Sequence, residues 1–220
     1  MNTPYIYLKN VCYSIKGTKI ISGLNLSIGR SEFVALIGEN GCGKTTLTKL
    51  LLGILKKDFG EVKIDGKYIE KYKLHEIGNK IGYVFQNPSY QIFAPTILEE
   101  LSFAMKYKGN DEEIIKLRTE DIIDKFSLGD ARDVTTYNLS QGEKRRLAIG
   151  CMMMNESEFI ILDEPTLGLD AELKINLMEY LCDINKQGVG IIIVSHDKEI
   201  VSKYAHRIIL MKDGRTNETA

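Results

Sequence analysis

The sequence predicts an α/β protein: a mainly parallel sheet flanked by helices, with an antiparallel β part near the start and an inserted helical stretch. Three observations carry this. Short apolar runs at residues 33–37, 159–162 and 191–194 read as buried strands, separated by helical patterns. The first of them leads into Gly38-Glu39-Asn40-Gly41-Cys42-Gly43-Lys44-Thr45, a G-x-x-x-x-G-K-[ST] pattern, followed by a helix. From Pro95 to Met154 strand signals are few, which argues a helical insertion.

Taken in order, residues 5–15 and 19–28 alternate loosely and read as antiparallel strands joined at Gly17. The strand 33–37, the glycine-rich loop and its helix follow, to about Leu55. Phe59-Gly60 reads as a turn, and 61–67 as a strand entering an Asp65-Gly66 turn. Residues 81–85 are a second buried strand ending at Gln86. Thr96-Ile97-Leu98-Glu99 is a capping box opening a helix; Asp111 caps another, to about Phe126. Ser140-Gln141-Gly142-Glu143 is a further capping box, opening a helix into Met154. The strands 159–162 and 191–194 enclose a helix from Ala171 to Lys186, and 208–211 is a last strand turning at Asp213-Gly214. The chain reads as a single domain over 1–220, with a core from 1–94 and 155–220 and a helical subdomain over 95–154.

The chain has 220 residues, ample for a core, and its 29 basic residues nearly balance 30 acidic ones, so nothing points to a nucleic-acid surface. The cysteines, Cys12, Cys42, Cys151 and Cys182, form no C-x-x-C pair and no metal spacing, and read as free thiols of a reducing cytoplasm. No secretory signal opens the chain. The most apolar window, 147–154, is far short of the ~18–20 residues that span a bilayer. Work at a membrane would therefore require docking onto a spanning partner, with no direct insertion.

The glycine-rich loop is the strongest chemical signal. Its backbone N–H groups can converge on one oxyanion, and the helix start adds its positive end. Lys44 supplies a point charge worth roughly 4 kcal/mol against a phosphate oxygen at 4 Å with an effective dielectric near 20. The hydroxyl of Thr45 suits Mg²⁺. Residues 159–162 end in Asp163-Glu164, adjacent carboxylates that repel unless a cation is near. Mg²⁺ on the phosphates is such a cation: Asp163 would hold it and Glu164 would polarise an attacking water as general base. His196, in Ser195-His196-Asp197, follows a parallel strand, where open sheets bind ligands, and would contact a γ-phosphate and orient the water. Taken alone it would be an incidental loop histidine; His75 and His206 lack even that context and read as surface residues. Gln86, at the same sheet edge, would reach Mg²⁺ or the water through its amide oxygen. Ser140 and Glu143 are explained by capping, but the run from Leu139 to Glu143 is also an anion site that would suit the nucleotide of a second chain.

The ordered set of these motifs, together with Leu167-Gly168-Leu169-Asp170, resembles the ATP-binding-cassette (ABC) ATPases over nearly the whole chain. The Leu-Ser-x-Gly run followed by the acidic strand is specific to that family. The resemblance implies a nucleotide-binding fold of the phosphate-loop class, with ATP and Mg²⁺ as cofactors. It implies two cassettes meeting head to tail around two ATP molecules. Residues 38–45 and Thr46 would hold the phosphates of one ATP, with Ser140 and the Gly142 backbone reaching the γ-phosphate held by the other chain's Lys44. Asp170 would lie at the dimer seam, and Gln86 would link catalysis to membrane subunits. The signature carries Gln141 and Glu143 where the commonest form has Gly and Gln. The family stacks adenine on an aromatic side chain; that position here is Ile15, with Tyr13 two residues earlier, so either Tyr13 substitutes or the base packs on an aliphatic surface.

The stretch 83–96 is similar to the energy-coupling-factor ATPases, which drive uptake of vitamins and of cobalt or nickel ions. Their usual acidic residue, which receives an arginine of the transmembrane subunit, is here Ser89. Many members carry a dimerising tail well past Gly214, so this chain would dimerise chiefly through nucleotide, pair with a longer partner, or be an unusual member. The resemblance implies an ATPase subunit, cytoplasmic and peripheral on the inner face of the membrane. Its partners would be a second cassette, identical or not, and a transmembrane subunit. The rival readings are a non-transport ABC switch acting on ribosomes or nucleic acid, and a degenerate nucleotide-binding scaffold.

Overall fold

The computed structural model describes residues 3–132 and 134–219. The elements run β1 (Ile6–Ile15), β2 (Thr18–Ile28), β3 (Phe33–Ile37), α1 (Lys44–Leu51), β4 (Phe59–Ile64), β5 (Lys67–Tyr68), α2 (Leu74–Lys80) and β6 (Ile81–Val84). Then come α3 (Ile97–Tyr107), α4 (Glu112–Lys125), α5 (Gln141–Met153), β7 (Phe159–Asp163), α6 (Ala171–Lys186), β8 (Gly190–Val194), α7 (Lys198–Tyr204), β9 (Arg207–Lys212) and β10 (Arg215–Thr219).

Two sheets result. A four-stranded antiparallel sheet has the order β2-β1-β4-β5, and a six-stranded sheet has the order β10-β9-β3-β8-β7-β6. The second is parallel from β9 to β6, with β10 antiparallel at its edge. Its central strands are buried at every position because both faces are covered, and they are apolar except for Asp163 at the end of β7. Alternate side chains serve opposite cores. Phe33, Ala35, Ile160, Leu162, Ile191 and Ile193 join a cluster with α3, α4, α5 and α6. Val34, Leu36, Phe159, Ile161, Ile192 and Val194 join one with α1 and the antiparallel sheet. The mixed α/β architecture read from the sequence is the one found. α5 reaches from an exposed cap at Ser140 to edge strand β6, where a Cβ on Gly82 would meet Met152 Cγ at 2.9 Å.

Three local readings are corrected. Phe59-Gly60 is not a turn but the start of β4; Gly60 (φ 92°) sits in a bulge where a Cβ would lie 2.4 Å from the Asn10 carbonyl oxygen. α1 stops short of Leu55, because the N–H groups of both Ile54 and Leu55 turn back onto the Lys49 carbonyl at 3.0 and 3.2 Å. Thr96 caps α3 by accepting from the Glu99 N–H, but the return bond runs from the Thr96 hydroxyl to Glu99 Oε2, so the box is not closed through the Thr96 backbone. The sequence reading placed no helix at α2 and no strand at β10.

Candidate active site

The strand order β3-β8-β7 sets three C-terminal ends side by side, and the site is built there. From β3 comes the loop 38–43. α1 is capped by Gly43 with no side-chain cap bond and no acidic residue in its first turn, so the N–H groups of that turn are left for an anion. Lys44, 8% exposed, folds over the loop, its Nζ donating to the carbonyls of Gly38 at 2.7 Å and Glu39 at 2.9 Å. A cleft of ≈ 800 Å³ opens beside the loop, between Thr18–Ile20 on one side and His196 on another.

From β7 come the carboxylates. Asp163 Oδ2 accepts from the Thr45 hydroxyl at 2.9 Å and the Tyr83 hydroxyl at 3.3 Å. Burial lifts the Asp163 carboxyl above the ordinary aspartate range, the charge of Glu164 adds to this, and the Thr45 and Tyr83 bonds oppose it. Glu164 is a buried, non-glycine residue at φ 54°, a conformation that costs about 1–2 kcal/mol. Its backbone is pinned on both sides: the N–H donates to Val194 O at 2.9 Å, and the carbonyl accepts from Arg145 Nη1 at 2.7 Å. From the end of β8, exposed His196 brings Nδ1 to 2.9 Å from Glu164 Oε2.

Lys44, Thr45, Asp163, Glu164 and His196 are thus gathered at one sheet edge. Thr45 and Asp163 offer hard oxygen donors, and a buried carboxylate raised by desolvation is what a divalent cation would relieve, so the donor set fits Mg²⁺. Gln86 lies exposed just beyond β6, and its backbone carbonyl accepts from Arg145 Nη2 at 2.7 Å.

Ser140, Gly142 and Asp170 stand apart. Ser140 and Glu143 close their capping box, Oγ accepting from the Glu143 N–H at 3.2 Å and Glu143 Oε2 from the Ser140 N–H at 2.7 Å. The Ser140 bonds hold the Glu143 carboxyl below its usual range. Asp170 caps α6 through the Leu173 N–H. Among the described residues, no hydrogen bond joins Ser140 or Gly142 to the phosphate loop of the same chain. Tyr13 is half-buried against the antiparallel-sheet core, whereas Ile15 is 46% exposed.

Sequence reading missed Arg145. It is 6% exposed and donates to the carbonyls of Gln86, Glu164 and Leu167. Inside the run Glu143-Lys144-Arg145-Arg146 it looked like one more solvated charge. The available signal was its place on α5, two residues before buried Leu147. The four cysteines are free, and Cys42 is buried in the loop. Among the described residues, no helix is long and apolar enough to cross a membrane.

A second surface lies on the α3 side. Phe93, Phe103 and Tyr107 line up as an exposed aromatic row, Phe93 on Phe103 edge-to-face at 4.8 Å and Phe103 stacked with Tyr107 at 6.4 Å. It borders a cleft of ≈ 350 Å³ that includes Phe85, Gln91 and Glu100.

A family profile described as ABC transporter matches residues 21–167. The energy-coupling factor transporter ATP-binding protein EcfA of Methanothermobacter thermautotrophicus is 38% identical over 212 residues, covering 95% of this chain and 68% of that protein. The structure of cbiO1 from Clostridium perfringens, part of the ABC transporter complex cbiONQ, superposes with a TM-score of 0.85 at 33% identity, covering 98% of this chain and 87% of that one. The dimeric ATP-binding cassette MJ0796, bound to ADP and Pi, superposes at 0.87 with 28% identity, covering 97% of each chain. The chain spans only 35% of the length of two further curated relatives.

Proposed function

The chain belongs to the ABC transporter family, and from that premise we propose that it binds and hydrolyses ATP as the nucleotide-driven subunit of a membrane transporter. The observation that carries this is the meeting of Lys44, Thr45, Asp163, Glu164 and His196 at the C-terminal edge of β3, β7 and β8.

In this reading the loop 38–46 cradles the phosphates, and Lys44 exchanges its two carbonyl partners for phosphate oxygens. Thr45 and Asp163 hold Mg²⁺, with Gln86 as a further oxygen donor; the ion, when bound, neutralises charge on the phosphates. Glu164 accepts a proton from the attacking water, and His196 keeps the carboxylate oriented while facing the γ-phosphate. Ile15, the exposed residue of the pair, is the base-facing one, and Tyr13 is structural. The capped tip at Ser140 and Gly142 completes the site of a second cassette, with Asp170 at the seam. We also propose the division into a core (1–94 and 155–220) and a helical subdomain (95–154), with α5 shared at its C-terminal end.

The names of the relatives support the energy-coupling-factor type, with uptake of a vitamin or metal ion. The aromatic row at Phe93, Phe103 and Tyr107 is the docking face for a transmembrane subunit, which holds the chain at the inner face of the membrane.

The test is Glu164→Gln. It is expected to bind ATP, to hydrolyse it about 10²–10⁴-fold more slowly, and to accumulate as a dimer with ATP on a sizing column. Lys44→Ala, lacking nucleotide binding, should stay monomeric in the same run. A Glu164→Gln protein that turns over at the wild-type rate overturns the reading.

A further inference from the structure

Arg145 is a buried guanidinium in α5 that donates to three backbone carbonyls. Nη1 donates to Glu164 O at 2.7 Å and Leu167 O at 2.6 Å, and Nη2 to Gln86 O at 2.7 Å. These acceptors lie on two chain segments that do not otherwise share an element: the loop after β6 and the loop between β7 and α6. The donor sits five residues beyond the cap Ser140, on the helix whose tip faces outward. Burying such a charge is unfavourable, and the desolvation pulls the Arg145 guanidinium below its ordinary range. A planar fork that reaches three carbonyls at once is something only arginine supplies. Glu164 needs the anchorage: its φ of 54° is held by the bond from its N–H to Val194 O and, at its carbonyl, by the Leu167 N–H at 3.3 Å together with the shorter Arg145 bond.

We infer that Arg145 is a positioning residue: it locks the Gln86 loop, the Glu164 backbone and α5 into one arrangement, so that a displacement of the surface after β6 is felt at the Glu164 carboxylate. The inference rests on the proposed role of Glu164 and extends it to a buried residue that acts on the Glu164 backbone.

The test is a double-mutant cycle on the full chain with Arg145→Lys and Glu164→Gln. A lysine keeps the charge but cannot span the three acceptors. Arg145→Lys alone should lower kcat about tenfold or more while ATP affinity stays within about threefold, since the phosphate loop is untouched. In the Glu164→Gln background the same change should lower the residual rate no further, because the two act as a unit. Hydrogen exchange at the Glu164 and Leu167 amides should be faster in Arg145→Lys by about tenfold. If Arg145→Lys does not fold, Arg145→Gln, which removes the buried charge, enters the same cycle. Equal losses in both backgrounds, or an unchanged kcat, would overturn the inference. A Glu164→Gln protein of wild-type rate would instead remove the reading beneath it, a distinguishable result.

Discussion

The hydroxyl of Thr45 donates to Oδ2 of Asp163 at 2.9 Å, across 118 residues of sequence, and so ties the first turn of α1 to the end of β7. The acceptor is a carboxyl that burial raises above the ordinary aspartate range. Function and stability therefore pull in opposite directions at this point.

Asp163→Asn makes that conflict measurable. A carboxyl raised above its unfolded value favours folding at low pH, and that contribution is lost as pH rises through the folded value. At neutral pH without nucleotide, removing the charge should leave the melting temperature at or above that of the wild type. Mg²⁺-dependent ATP hydrolysis should fall roughly a hundredfold or more. Calorimetry and a steady-state phosphate-release assay read the two effects. A clear drop in melting temperature would show that the Thr45 and Tyr83 bonds outweigh the desolvation.

Ser140 caps a helix, and the proposed function gives it a second, separable role at a partner's phosphates. As the cap of α5 it accepts from the Glu143 N–H, and Ser140→Ala should cost about 1 kcal/mol, or about 2–4 °C in melting temperature. Ser140→Asp keeps a good cap but adds a negative charge at the exposed tip. It should melt close to the wild type and yet fail to form the ATP-bound dimer on a sizing column. A dimer of normal yield would remove Ser140 from the partner's phosphates.

The exposed Ile15 predicts weak discrimination among bases. Ile15→Tyr should tighten ATP binding about two- to tenfold, the worth of an aromatic contact, measured by titration calorimetry beside GTP. Tyr13→Ala should leave both affinities unchanged and lower the melting temperature, since the ring packs on the antiparallel-sheet core. An affinity loss with Tyr13→Ala would return that ring to the nucleotide.

Much of this was legible in advance because the signals are local. The strand 33–37 with its loop, the Ser140–Glu143 box and the helix Ala171–Lys186 each carry their own pattern of burial or capping. The misreadings had non-local causes. Gly60 is a glycine because the Asn10 carbonyl on another strand crowds it, a contact invisible in the sequence around it. β10 exists because β9 offers it an edge, and α2 is too short and too polar to announce itself. Arg145 escaped notice because its neighbours are charged and its acceptors are carbonyls, which every residue possesses.

One consequence follows from the span of α5. Its 13 residues make a rod roughly 20 Å long, seated at one end on β6 through Met152 and Gly82 and bearing Ser140 at the other. A tilt of roughly 5° about the seated end would swing the tip by roughly 2 Å, and the Arg145 fork, five residues from the cap, would carry the Gln86 and Glu164 loops with it. In the proposed two-cassette assembly, that is enough to make or break contact with a neighbour's phosphate.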